Sequence, residues 1–138
     1  MSVPVNQRSH GKLEACVKTH EIAVYSIKIL ANRKTFTAEY ASFISKIESA
    51  AIDIHSFAWS ANGISVTDTE SYTSRIALQQ KAISECGVLL SYIDIAKNLF
   101  HLDTKRVKYW STMVIEAKKL LRAWRDSDKK RYAEHKGM

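Results

Sequence analysis

The stretch SANGISVTDTE, Ser60 to Glu70, decides how the chain divides. Asn62-Gly63 is a pair suited to a left-handed helix C-terminus. Thr67 and Glu70 then have the spacing of a capping box, in which the threonine oxygen and the glutamate side chain each satisfy an unpaired amide. One helix should end and another begin here. Turn residues are scarce elsewhere, since 138 residues include four glycines and one proline. That is too few for an all-β chain, which must turn about every 8 to 12 residues.

Working outward, apolar residues recur at spacings of three and four on both sides of this break, which keeps them on one helical stripe. Tyr40, Ile44, Ile47, Ala51, Ile54, Ala58 and Ala61 predict a helix over 36–62, and Tyr72, Ile76, Ile83, Cys86, Leu90, Ile93 and Phe100 another over 68–100. Leu13, Val17, His20, Val24, Ile27 and Ala31 predict an inward stripe on a first helix over 10–32, ended by NRKT. The turn HLD leads to a fourth over 104–133, with Asp103 or Thr104 as N-cap and a seam of Val107, Trp110, Val114, Ala117, Leu121 and Trp124. The expectation is all-α: a single domain, 1–138, folded as an up-down-up-down four-helix bundle.

At 46% apolar and 25% charged residues, the composition suits a globular domain with a core rather than a disordered chain. No apolar run approaches the roughly 18 residues of a membrane span, and the polar start MSVPVNQRSHGK lacks the apolar segment of a signal peptide. A cytosolic protein with no membrane partner is expected. Cys16 and Cys86 lie in apolar-periodic segments without CxxC spacing and read as reduced core residues.

Charge is the most informative feature. Residues 1–103 hold 10 basic and 10 acidic side chains, whereas residues 104–138 hold 11 and 4, so the whole net charge of +7 falls in the last helix. Lys118, Arg122, Arg125 and Lys129 step by four, three and four beside the apolar seam, and Lys105, Lys108, Lys119 and Lys130 widen the stripe. Such clustering is the electrostatic footprint of a polyanion binder, in which Lys and Arg gain affinity by releasing counterions from phosphates. Lys105, Arg106 and Lys108 also crowd a helix N-terminus, where the macrodipole disfavours cations. Free amides beside those cations would make an anion site. Ile115 inside this basic sector points to a contact with another subunit or partner. A solvated face, or pairing with acids on neighbouring helices, is the competing explanation.

Other chemistries find little support. The five histidines have no zinc-helix spacing, and His20, on the apolar stripe, reads as a hydrogen-bonded core residue. Asp53 and Asp94 sit mid-helix between isoleucines, where an acid/base pair is conceivable but pairing with surface cations is commoner. There is no nucleophile elbow and no phosphate-binding glycine loop. No catalytic residue, metal or cofactor is therefore expected. Trp110 and Trp124 fall on the seam, while Tyr109 and Tyr132 lie near the cations, where aromatic rings can stack on bases.

The segments SVPVNQRSHGKLEACVKTHEIAVYSIKI, AIDIHSFAWSAN, IAKNLFHLDTKRVKYW and LLRAWRDSDKKRY together resemble the four-helix-bundle family that includes the accessory variability determinant of bacterial diversity-generating retroelements and the proteins encoded in intervening sequences of ribosomal RNA genes. The resemblance covers roughly residues 2–133 and rests on overall pattern and on HLDTKRVKYW. It implies a cytosolic, non-enzymatic subunit that forms a homopentameric barrel and binds both a reverse transcriptase and RNA or cDNA during mutagenic retrohoming. The family's cationic surface maps here onto Lys105, Arg106, Lys108, Lys118, Lys119, Arg122 and Arg125, with Lys129 continuing the stripe. The alternative expectation is a helical interaction module that docks an acidic protein without nucleic acid.

Overall fold

A computed structural model describes residues 5–136, with side chains from 14 to 134. Four helices follow one another: α1 (Val5–Leu30), α2 (Ala41–Asn62), α3 (Thr69–Leu99) and α4 (Thr104–Lys136), with one 3₁₀ turn at Ala38–Tyr40 ahead of α2. Sequential helices pack together and α1 closes against α4. The pairings run antiparallel throughout. Cys16 and His20 of α1 meet Ala58 and His55 of α2, Phe43 and Phe57 of α2 meet Tyr92 and Lys81 of α3, Tyr72 of α3 meets Tyr132 of α4, and Lys18 and Ser26 of α1 meet Glu116 and Trp110 of α4. This is the expected all-α four-helix bundle.

The seams of three helices fill the core as their spacing predicts. Ile44, Ile47, Ala51, Ile54, Ala58 and Ala61 of α2, Ile76, Ile83, Cys86 and Ile93 of α3, and Trp110, Val114, Ala117, Leu121 and Trp124 of α4 are buried. Tyr40 is exposed instead, and Tyr72, Leu90 and Val107 are half-buried. Both cysteines are buried. Burial pushes the Cys86 thiol up to about 12, despite the opposing pull of Lys118, so it stays protonated at neutral pH.

The first helix is turned the other way from its predicted stripe. Val17, His20, Val24, Ile27 and Ala31 are exposed, while Ala15, Cys16, Thr19, Ile22, Ser26 and Leu30 are buried; Leu13 lies outside the described side chains. The cause is polar pairing within the core. The buried Ser26 hydroxyl accepts a hydrogen bond from Trp110 Nε1 at 3.0 Å, and the Thr19 hydroxyl reaches Cys16 O at 3.1 Å and His55 Nδ1 at 2.9 Å. A hydroxyl so satisfied can enter a core that an unsatisfied one could not. The core histidine expected at position 20 is in effect His55, half-buried and held below its ordinary pKa by desolvation, with His20 edge-on at 5.6 Å.

The loops differ in detail. Gly63 is right-handed, with φ −78°. The capping box is shifted by one residue: Asp68 Oδ1 accepts from Ser71 N at 2.8 Å, and Ser71 Oγ accepts from Asp68 N at 3.1 Å. The left-handed residue is His101, φ 54°, where Leu102 N closes a six-to-one bond to Lys97 O at 3.1 Å and ends α3 in a Schellman turn.

At the far end of α4 an ion pair that the apolar spacing did not reveal lies in the core. Arg75 donates from Nε and Nη2 to the two Asp128 oxygens at 2.8 and 3.2 Å, Gln79 donates to Asp128 at 2.7 Å, and Arg131 joins them. Arg75 Nη1 also reaches Ile64 O at 3.0 Å, tying in the α2–α3 loop. Both charges are buried, so removing one strands the other. Asp128→Ala should lower unfolding free energy in urea by about 3 to 5 kcal/mol, and Arg75→Met combined with Asp128→Leu should recover most of it. A loss below about 1 kcal/mol for the single variant would contradict this account.

Candidate nucleic-acid interface

The cations of α4 occupy more than one side of the helix. Lys118, Arg122, Arg125 and Lys129 lie on the flank beside α3: Lys118 and Arg122 both act electrostatically on Cys86 of α3, and a Cβ at Gly87 would stand 3.7 Å from Lys118 Nζ. Lys119, on the adjoining outer ridge, and Arg122 and Lys129 are exposed, whereas Lys118 is half-buried. Arg125 is half-buried and paired with its neighbour Asp126 at 3.0 Å, which removes it from the free cations the spacing suggested. Ile115 is exposed in this sector, as expected of a residue left for a partner.

Lys105 and Arg106 sit on the α1 side of the helix start, apart from that stripe. Lys105 and Lys108 line a groove with Lys18 of α1. Arg106 is half-buried at the loop end of the bundle, in a hollow of about 560 Å³ with Lys34, Tyr40 and His101, and acts electrostatically on Tyr25. Two of the free amides expected at the α4 N-terminus are taken. Asp103 is the N-cap, and its Oδ1 accepts from Lys105 N at 2.7 Å and Arg106 N at 3.1 Å. The cap carboxylate also offsets the cations at the positive end of the helix dipole.

The α3 flank beside the basic stripe does little to neutralise it. Thr73, Gln80, Ser84, Gly87 and Ser91 step by seven, four, three and four, so they share one stripe with the glycine that faces Lys118. All are uncharged, and the four with polar side chains are exposed. Two of the four acids of the last segment are engaged elsewhere, Glu116 with Lys18 at 3.2 Å and Asp128 with Arg75 in the core, while Asp126 holds Arg125 of the stripe itself. The result is a cationic ridge against a polar floor that is uncharged from Thr73 to Ser91, between the exposed acids Glu70 and Asp94, and its hydroxyls and amide can donate hydrogen bonds to phosphate oxygens.

The aromatic candidates separate. Tyr132 is stacked on Tyr72 at 3.8 Å between centroids, and its hydroxyl bonds Thr69 at 2.8 Å, so its ring is committed to the α3–α4 contact. Tyr109 is 59% exposed. Asp53 and Asp94 do not converge. Asp53 faces Glu85, whose pKa is raised first by burial and then by Asp53. Asp94 lies two residues from Tyr92, whose partner Phe43 is about three turns of α2 from Asp53. Among the described residues no cluster of three or more His, Cys, Asp or Glu could hold a metal, and no helix is long and apolar enough to cross a membrane.

A second surface lies on the opposite side of the bundle, formed by the outer faces of α1 and α2. Val17 (49% exposed), Val24 and Ile27 are exposed on α1, and Ile52 and Trp59 (61% exposed) on α2, where Glu48, Ser45, Ser49 and Ser56 are also exposed. No protein-family model, curated protein or solved structure matches the chain.

Proposed function

We propose that the protein is a non-catalytic nucleic-acid-binding accessory subunit of a retroelement reverse transcriptase, acting through α4 in the mutagenic retrohoming of a diversity-generating retroelement. The observation that carries the nucleic-acid reading is the ridge of Lys119, Arg122 and Lys129 beside Lys118, set against the α3 stripe that is uncharged from Thr73 to Ser91, with Glu116 and Asp128 paired away from it and Asp126 held by Arg125. A face meant only for solvation needs no such segregation of +7 onto one helix. The transcriptase as enzyme partner comes from the sequence resemblance.

Self-association fits the same arrangement. Copies that each concentrate positive charge on α4 repel through that helix and can approach through the α1–α2 face, whose exposed charges are of both signs, burying Trp59 and leaving the basic ridge outward. A homo-oligomer, a pentamer on the strength of the resemblance, would present several such ridges to one polyanion and raise avidity.

Reversing Arg122 and Lys129 together to glutamate should weaken binding of structured RNA at least about tenfold in fluorescence anisotropy, while helicity and oligomer mass stay unchanged. Undiminished binding would point to the alternative, an acidic protein partner for the same helix. Independently, Trp59→Glu should lower the mass seen by sedimentation without loss of helix, whereas an unchanged mass would place the subunit contact elsewhere.

A further inference from the structure

We infer that the groove between α1 and the first turns of α4 holds one unpaired base of a single-stranded polynucleotide, stacked on Tyr109, with the adjoining phosphate at Lys105 and Lys108. The inference rests on the nucleic-acid reading above and narrows it to strands whose bases are free.

The groove encloses about 400 Å³ and is lined by Tyr109, Met113 and Thr112 with Lys105, Lys108 and Lys18. That lies within the range of pockets that take small ligands. Tyr109 is more than half exposed, yet its ring is not adrift: Tyr25 braces it at 5.1 Å between centroids, and Tyr25 is itself edge-on to the buried Trp110 at 6.2 Å. An exposed ring held in place by a second ring is a stacking platform that loses little freedom when a base arrives.

Charge gives the groove a direction. Glu116 and Glu21 are both bound to Lys18, at 3.2 and 3.3 Å, and the hydrogen bond that Lys18 donates to Glu116 is the main cause that raises the Lys18 pKa. Among the described residues neither Lys105 nor Lys108 is ion-paired, so the cationic surplus lies at the end nearer the α4 N-terminus. Lys105 precedes Tyr109 by one helical turn and shares its side of the helix, the spacing that lets a base lie on the ring while its phosphate meets the ammonium. Lys108 lies toward the outer ridge that carries Lys119, so a strand can pass from the groove onto the main cationic face. A duplex, its bases already stacked and paired, cannot present one to the ring.

The test is fluorescence anisotropy of a short labelled single strand, in RNA and DNA versions, and of the corresponding duplex, against full-length wild type, Tyr109→Ala and Tyr109→Phe, with helicity checked by circular dichroism. Tyr109→Ala should weaken single-strand binding about tenfold or more. Tyr109→Phe should keep it, and duplex binding should be unchanged in both variants. Single-strand binding that survives Tyr109→Ala intact, or a loss shared equally with the duplex, overturns the stacking site and leaves the polyanion reading standing. No binding of any polynucleotide by the wild type overturns both.

Discussion

The hydrogen bond from Trp110 to Ser26 and the ion pair of Arg75 with Asp128 fasten the two ends of α4 into the bundle, and they fix which way that helix is turned. One polar contact is made to α1, the other to α3, and the apolar seam runs between them. With the rotation so defined, each cation of α4 has its place: Lys118, Arg122 and Lys129 toward α3, Lys119 outward, Lys105 toward α1. A buried ion pair contributes little net stability beside a well-packed apolar substitute. What it supplies here is register, because Arg75 can satisfy both Asp128 oxygens and Ile64 O only in one alignment of α3, α4 and the preceding loop.

The same pair shapes the charge distribution. Asp128 is one of only four acids in a segment with 11 cations, and the core withdraws it from the surface. Asp126 and Glu116 are engaged by Arg125 and Lys18. The exposed remainder of α4 is therefore more positive than the count of its residues implies. Opposite it, the outer faces of α1 and α2 expose Val17, Val24, Ile27, Ile52 and Trp59 among Glu21, Lys28 and Glu48, charges of both signs rather than a cationic surplus.

Much of the fold was legible because three helices place apolar residues inward at helical spacing, and because Asp103 and the segment around Asp68 announce helix starts. The first helix was not, since periodicity reports that a stripe is apolar but not where it faces. Its inward stripe is built of Ala15, Cys16, Thr19 and Ser26, small or hydroxylic, while Val17, Val24 and Ile27 look outward. A clue was present in the indole of Trp110, which needs an acceptor once buried. Arg75 and Gln79 are hidden in the sequence for a similar reason: a polar or charged residue at a core position interrupts the apolar spacing that marks the core. At the site, sequence located the basic helix but could not tell that Arg125 is paired, that Asp103 fills the helix N-terminus, or that Tyr132 is stacked on Tyr72 while Tyr109 stays open.

The central claim is that α4 is a phosphate-binding face, and the most direct measurement is the salt dependence of binding by the wild-type protein to structured RNA, followed by anisotropy from low to physiological ionic strength. The account predicts affinity that falls linearly on logarithmic axes with a slope reflecting about five or more phosphate contacts. Absence of binding at low salt, or binding indifferent to salt, would contradict it.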